Sequence, residues 1–116
     1  AAVEFTHDHS AVIAAHDAAR GHVVCAVIDE AAHHPVLAHD LADDGITVNC
    51  VVPGLIDTPR PKDKPEPAHH LIHQTITGSR GLPEDVAAIV RFLCGPGSRY
   101  INGQAIHANG GAYLGA

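Results

Sequence analysis

The chain has 116 residues, of which 46% are hydrophobic and 3% aromatic, and 7 Lys and Arg against 13 Asp and Glu give a formal net charge of -6. The hydrophobic content suffices for a packed core, which excludes disorder over the whole chain, and the length favours a single domain over residues 1–116. The acidic balance argues against nucleic-acid binding, which needs clustered Lys and Arg. No apolar run approaches the roughly 20 residues of a membrane helix, so we expect no membrane contact.

The first part of the chain predicts a helix, a strand and a second helix. Residues 3–20 are Ala-rich with a weak apolar stripe, which indicates a helix. Residues 22–28 form a continuous apolar run rich in β-branched side chains, which is typical of a strand covered on both faces. A short helix then begins at Pro35 and ends before Gly45, because proline suits the first helical position and glycine suits the end.

The middle of the chain predicts a second buried strand and a long flap. Residues 46–52 are again continuously apolar and are followed by a Pro-Gly pair. Residues 57–67 hold four of the eight prolines, which indicates a loop, and residues 68–77 predict a short helix. We therefore expect a flap over residues 57–80.

The last third predicts the clearest helix. Pro83 in the first turn and the acids Glu84 and Asp85 at the positive end of the dipole are a strong helix start. One apolar stripe at helical spacing follows: Val86, Ile89, Val90 and Leu93. A third strand over residues 104–108 completes an alternation of helices and strands, which indicates an α/β fold with a parallel sheet of about three strands and flanking helices.

The three cysteines, Cys25, Cys50 and Cys94, are widely spaced and lie inside apolar runs. An odd number without a C-x-x-C pair is a poor disulfide framework. We interpret them as buried free thiols, which predicts a reducing compartment and hence a cytoplasmic protein.

Three segments taken together resemble the C-terminal half of the short-chain dehydrogenase/reductase family. They are LADDGITVNCVVPGLIDTP at 41–59, GLPEDVAAIVRFLCGPGSRYINGQ at 81–104 and IHANGG at 106–111. The resemblance implies a partial Rossmann-like, doubly wound sheet. It also implies hydride transfer between NAD(P) and a carbonyl or alcohol substrate.

The same resemblance implies four cofactor-binding residues, Pro53, Gly54, Ile56 and Thr58, in the loop that contacts the nicotinamide end of NAD(P). This loop follows the carboxyl end of a parallel strand, where ligands bind in open α/β sheets. The Ile56 backbone is then expected to pair with the carboxamide, and the Thr58 hydroxyl to reach the carboxamide or a phosphate oxygen.

The family's catalytic residues have no counterpart in this sequence. The family uses a Tyr with a Lys four residues later, whereas the tyrosines here are Tyr100 and Tyr113 and the lysines are Lys62 and Lys64. The family's catalytic Ser is also missing, since the strand at 22–28 continues as Asp-Glu, and no Gly-rich turn opens a helix after a strand. We assign no catalytic residue and expect the chain to be inactive by itself.

Three hypotheses follow. The chain is a truncated form of an NAD(P)-dependent oxidoreductase, or a non-catalytic subunit that partners a full-length relative, or a small His-rich metal-binding protein. The last rests on His69, His70 and His73 in H-H-x-x-H, which lacks a third ligand, so we assign no metal ligand. A short parallel sheet leaves an unpaired edge, and we therefore also predict a homo- or hetero-oligomer.

Overall fold

The computed structural model describes residues 11–17, 22–28, 34–64 and 75–114. In the described residues there are four strands and two α-helices. The strands are β1 (Ala11–Asp17), β2 (His22–Ile28), β3 (Ile46–Pro53) and β4 (Ala105–Ala108). The helices are α1 (His34–Asp40) and α2 (Pro83–Leu93), each followed by a short 3-10 turn.

The strands form one mixed sheet in the order β2-β1-β3-β4. β1 is antiparallel to both of its neighbours, whereas β3 and β4 are parallel. β2, β3 and β4 thus run in the same direction, as the sequence predicts for its three strands. The predicted fold class, a partial doubly wound α/β sheet with flanking helices, is confirmed.

The helix predicted over residues 3–20 is wrong for Ala11–Asp17, which form β1. Alanine has the highest helix propensity, but propensity is a weak prior that tertiary pairing overrides. β1 occupies the space between β2 and β3 and pairs on both sides: Ala14, for example, lies opposite Cys25 and opposite Asn49. Residues 3–10 and 18–20 lie outside the described part of the chain.

Strand β3 is covered on both faces, and its side chains alternate between two clusters. Val48 and Cys50 pack with Ala38 of α1 on one face. Val51 packs on the other face with a stripe of α2, formed by Val86, Val90 and Leu93. Because successive side chains of a strand point to opposite faces, β3 is the middle layer between two helices. The predicted stripe of α2 is therefore core, as expected.

The described part of the flap contains little regular structure. Residues 57–64 form neither helix nor strand, as predicted for a proline-rich loop. The predicted helix at 68–77 is wrong at its end, because Thr75 accepts a turn hydrogen bond from the Gly78 N–H (N···O 3.3 Å). The rest of that prediction, with His69, His70 and His73, lies outside the described residues.

Neither α1 nor α2 has the length and apolar character that crossing a bilayer requires, and they are the α-helices of the described part of the chain.

Candidate functional site

A cleft of about 360 Å³ lies at the carboxyl ends of the parallel strands β3 and β4. It is lined by Ile56, Thr77, Ser79, Arg80, Gly81, Asp85, His107, Ala108, Asn109, Gly110 and Gly111. Three chain segments therefore meet here: the loop after β3, the end of the flap with the start of α2, and the loop after β4. In open α/β sheets this edge is where ligands bind.

The loop after β3 lies directly against the end of β4. Pro53 pairs with Ala108, and the Gly54 N–H donates to the Ala108 carbonyl (N···O 2.9 Å). A Cβ atom on residue 54 would lie 2.7 Å from both Cα and Cβ of Asn109. Only glycine allows such a close approach of two backbones, so the structure gives Gly54 a packing role between the two loops.

Ile56 forms an isolated parallel bridge with Gly81. The bonds of this bridge run from Gly81 N–H to Leu55 O (3.0 Å) and from Asp57 N–H to Gly81 O (2.8 Å). In a parallel bridge of this kind, the N–H and C=O of Ile56 itself point away from Gly81. Within the described residues neither group has a backbone partner, so neither is used by the bridge.

The end of the flap closes over the loop after β4. Thr77 N–H donates to the Gly110 carbonyl (N···O 3.0 Å), and Thr75 is buried. A Cβ atom on residue 111 would lie 2.8 Å from Cβ of Ile76. The backbone of the loop after β4 thus packs against the Ile76 side chain at the end of the flap, and together these two segments form one wall of the cleft.

Asn109 organises the loop after β4. Its Oδ1 accepts from the Gly111 N–H (2.9 Å), and its Nδ2 donates to the Tyr113 carbonyl (3.0 Å). The rings of His107 and Tyr113 lie 4.9 Å apart between centroids, tilted by 42°. Such an arrangement is a favourable aromatic contact and holds Tyr113 beside the cleft.

A buried amide ties β3 to the segment that leads into β4. Asn49 is 1% exposed. Its Nδ2 donates to the Ile101 carbonyl (2.9 Å), and its Oδ1 accepts from the Gln104 N–H (3.1 Å). Asn102 adds a second link, because its Oδ1 accepts from the Val48 N–H (2.8 Å). Because buried polar groups must be hydrogen-bonded, Asn49 fixes the spacing of the two parallel strands.

Charged side chains of both signs line the cleft, on the side of α2. Arg80 is half-buried, and Asp85 accepts a hydrogen bond from the Leu82 N–H (Oδ2···N 2.7 Å) at the start of the helix. The Asp85 carboxylate therefore stabilises the positive end of α2 as well as lining the cleft. Within the described residues, no group of three or more His, Cys, Asp and Glu is arranged to hold a metal ion.

The four residues expected to bind the cofactor are not all in the cleft. Ile56 lines it, while Pro53 and Gly54 lie beside it at the junction with β4. Thr58 is exposed and does not line the cleft. Their cofactor contacts remain predictions. The lining residues that were not predicted come from three places in the sequence, the segment TGSRG at 77–81, Asp85 in α2, and the motif IHANGG.

The nicotinamide end of a dinucleotide and its phosphates require different groups in a binding site. A primary carboxamide presents one acceptor and one donor, which complement the N–H and the C=O of Ile56. A phosphate site needs several N–H groups converging at a helix N-terminus after a glycine-rich turn. The glycines of IHANGG are followed by bends rather than by a helix, and at the start of α2 the Leu82 N–H already donates to Asp85.

The cysteines agree with the prediction of free thiols where the structure describes them. Cys50 is fully buried and Cys94 is half-buried, and neither forms a disulfide within the described residues. Burial raises the pKa of the Cys50 thiol, because a thiolate is poorly solvated there. Cys50 is thus an inert core side chain rather than a nucleophile.

Comparisons with known proteins agree with the geometry. The family model described as enoyl-(acyl carrier protein) reductase matches residues 9–113. The chain is 45% identical over 79 residues to 3-oxoacyl-(acyl-carrier-protein) reductase FabG of Rickettsia felis, a match that covers 67% of this chain and 33% of that protein. It is 42% identical over 79 residues to the (2S)-((R)-hydroxy(phenyl)methyl)succinyl-CoA dehydrogenase subunit BbsD of Thauera aromatica, covering 67% and 32%.

The fold has a similar counterpart among solved structures. The crystal structure of a blue fluorescent protein from a metagenomic library, in complex with NADPH, superimposes with a TM-score of 0.64 at 34% identity. The match covers 72% of this chain and 34% of that one, and the chain spans about a third of the length of the curated relatives it matches. The chain belongs to the short-chain dehydrogenase/reductase family of NAD(P)-dependent oxidoreductases.

Proposed function

We propose that this chain forms the nicotinamide-facing part of an NAD(P)H-dependent carbonyl reductase and is not catalytic by itself. The observation that carries the proposal is the position of Ile56. Its backbone N–H and C=O point away from the bridge with Gly81, and its side chain lines the cleft at the carboxyl ends of β3 and β4. NADPH in the similar solved structure supports the choice of cofactor.

The proposed substrate class is an acyl group with a ketone or hydroxyl, carried on acyl carrier protein or coenzyme A. The support comes from the names of the two relatives, one a reductase of a 3-oxoacyl group on acyl carrier protein and the other a dehydrogenase of an acyl-CoA. Thr77 and Arg80 are polar residues that line the cleft in which such a substrate would lie.

We expect no activity from this chain alone because it lacks the residues that would transfer a proton to the substrate. Reduction of a ketone needs an acid that protonates the developing alkoxide, and a phenol does this well when a nearby cation lowers its pKa. Neither Tyr100 nor Tyr113 is followed by a lysine, and the lysines stand in the proline-rich loop at 62 and 64. The acid would therefore come from outside these 116 residues, in a longer chain or in a full-length relative that binds this one.

Oligomer formation is part of the proposal. β2 is the last strand of the sheet in the described residues, so its outer edge has no strand partner there. Exposed strand edges pair readily with another chain. A cytoplasmic location stays a prediction from the cysteine pattern.

A titration with NADPH, followed by amide NMR, tests the site. We expect saturable shifts at the amides of Asp57 and Gly81 with weak affinity, because this sequence has no Gly-rich turn that opens a helix after a strand and could hold the phosphates. Ile56→Pro removes the N–H that would hold the carboxamide and should abolish these shifts. Ile56→Val is the matched control, because it keeps the N–H and most of the packing, and it should preserve them.

Two outcomes would contradict the proposal. Shifts that avoid the cleft, or that survive Ile56→Pro unchanged, would remove Ile56 from the cofactor site. Oxidation of NADPH by the chain alone, with a 3-oxoacyl-CoA as substrate, would show that it holds a catalytic acid after all. Oxidation that appears only on mixing with a full-length relative, beyond that relative's own rate, would support the subunit form of the proposal.

A further inference from the structure

The sequence contains two Asn-Gly pairs, Asn102-Gly103 and Asn109-Gly110, and they lie in different backbone environments. In such a pair the backbone nitrogen of the glycine can attack the Cγ of the asparagine, because glycine has no side chain to hinder ring closure. We propose that Asn109 is a site of spontaneous deamidation and that Asn102 is protected from it by the fold.

The two sites are matched in most respects. Each asparagine Oδ1 accepts a hydrogen bond from a backbone N–H, from Val48 for Asn102 (2.8 Å) and from Gly111 for Asn109 (2.9 Å). This bond polarises the side-chain carbonyl and stabilises negative charge on its oxygen during attack. Both glycines have a positive φ, 69° and 60°. The electrophilic carbonyl is thus polarised in the same way at the two positions, although Asn109 Nδ2 also donates a solvent-exposed hydrogen bond to the Tyr113 carbonyl (3.0 Å).

The difference lies in the attacking nitrogen. The Gly103 N–H donates to the Val48 carbonyl (N···O 2.8 Å), so its nitrogen is held in the link between β3 and the segment before β4. Within the described residues the Gly110 N–H donates no hydrogen bond. The Gly110 carbonyl, by contrast, accepts one from the Thr77 N–H. Attack by Gly103 first requires the backbone hydrogen bond to Val48 to open, whereas attack by Gly110 breaks no backbone hydrogen bond in the described residues and loses only the exposed bond from Asn109 Nδ2 to Tyr113.

The reaction balances with water as its only co-reactant. The Gly110 nitrogen loses its proton and forms a bond to Cγ of Asn109, and the bond from Cγ to Nδ2 breaks, which releases ammonia and leaves a succinimide. Water then opens the ring at either carbonyl and gives aspartate or isoaspartate at position 109. No oxidant or reductant is involved.

The products would change the candidate site. An aspartate at 109 can no longer donate to the Tyr113 carbonyl, and it places a negative charge in a cleft that already contains Asp85. An isoaspartate adds one methylene to the main chain where Gly54 lies against Asn109. Deamidation would therefore loosen the contact between the loop after β3 and the loop after β4.

Peptide mapping after incubation in mildly alkaline buffer tests the inference. No Lys or Arg lies between residues 100 and 116, so one tryptic peptide beginning at Tyr100 contains both sites, and fragment ions locate the exchange of NH2 for OH. Attack at Asn102 requires the backbone hydrogen bond from Gly103 to Val48 to open. We therefore expect Asn109 to deamidate on the order of tenfold faster than Asn102 in the folded chain. Asn102 is the more exposed of the two, so accessibility alone predicts the reverse order.

Incubation in concentrated urea is the control, since both sites are Asn-Gly pairs and should then react at similar rates. Asn109→Gln should remove the fast phase from the peptide, and Asn102→Gln should leave it. Equal rates in the folded chain, a faster Asn102, or a preference for Asn109 that persists in urea would overturn the proposal.

Discussion

At the scale of single residues, the close contact between Gly54 and Asn109 determines the position of the loop after β3. The hydrogen bond from Gly54 N–H to Ala108 O extends the pairing of β3 with β4 by one residue, and the 2.7 Å spacing to Asn109 leaves no room for a side chain. Any group at position 54 must therefore push the two loops apart, together with Ile56 beyond it.

Gly54→Ala should lower the free energy of unfolding by about 1–3 kcal/mol, because a backbone contact has to yield. Gly95→Ala is the matched control. Gly95 has φ −100° and its added Cβ would stand 3.5 Å from its nearest neighbour, so we expect about 0.5 kcal/mol or less. Urea titrations followed by circular dichroism measure both. Equal losses would show that the contact with Asn109 is not tight.

The candidate site could be predicted from the sequence only in part. The family resemblance implied a cofactor-binding loop with Pro53, Gly54, Ile56 and Thr58, and of these Ile56 lines the cleft. The reason for Gly54 was missed, because its neighbour Asn109 is distant in sequence and no local pattern announces the contact. Asn49 is a different case, because an amide inside a buried strand must find partners, and Asn49 has them in Ile101 and Gln104.

At the scale of secondary-structure elements, local signals predicted α2 well and β1 badly. A proline, two acids and an apolar stripe all favour the same helix, so Pro83–Leu93 agrees with the pattern. The main local signal in the segment Ala11–Asp17 is its alanines, which favour a helix. The strand that this segment forms instead pairs with residues far along the chain, such as Val12 with Val51. Pairing of this kind cannot be read from composition.

The start of α2 offers a test at this scale. Asp85→Ala removes the acceptor of the Leu82 N–H and should cost about 1 kcal/mol of unfolding free energy. Glu84→Ala is the control in the same exposed first turn, where loss of the interaction with the helix dipole should cost about 0.3 kcal/mol. Urea midpoints at unchanged slope give both values. A larger loss for Glu84→Ala would contradict the capping role of Asp85.

At the scale of the whole molecule, β3 separates two packing clusters. Ala38, Val48 and Cys50 form one of them with α1, and Val51 with the stripe of α2 forms the other. The loop after β3 leads from this central strand into the cleft. Both clusters therefore hold the strand that carries the candidate site, although they have no buried residue in common.

Double-mutant cycles can test whether the two clusters are energetically independent. Val48→Ala and Val86→Ala each delete buried methyl groups, at a cost of about 2 kcal/mol. Because these residues lie on opposite faces of the sheet, their losses should add to within about 0.5 kcal/mol. Val51→Ala with Val90→Ala is the matched pair inside one cluster, where a shared cavity should make the losses non-additive by about 0.5 kcal/mol or more. Sucrose in the buffer keeps the double variants folded enough for urea titration. Strong coupling between Val48 and Val86, with none between Val51 and Val90, would mean that β3 does not divide the core.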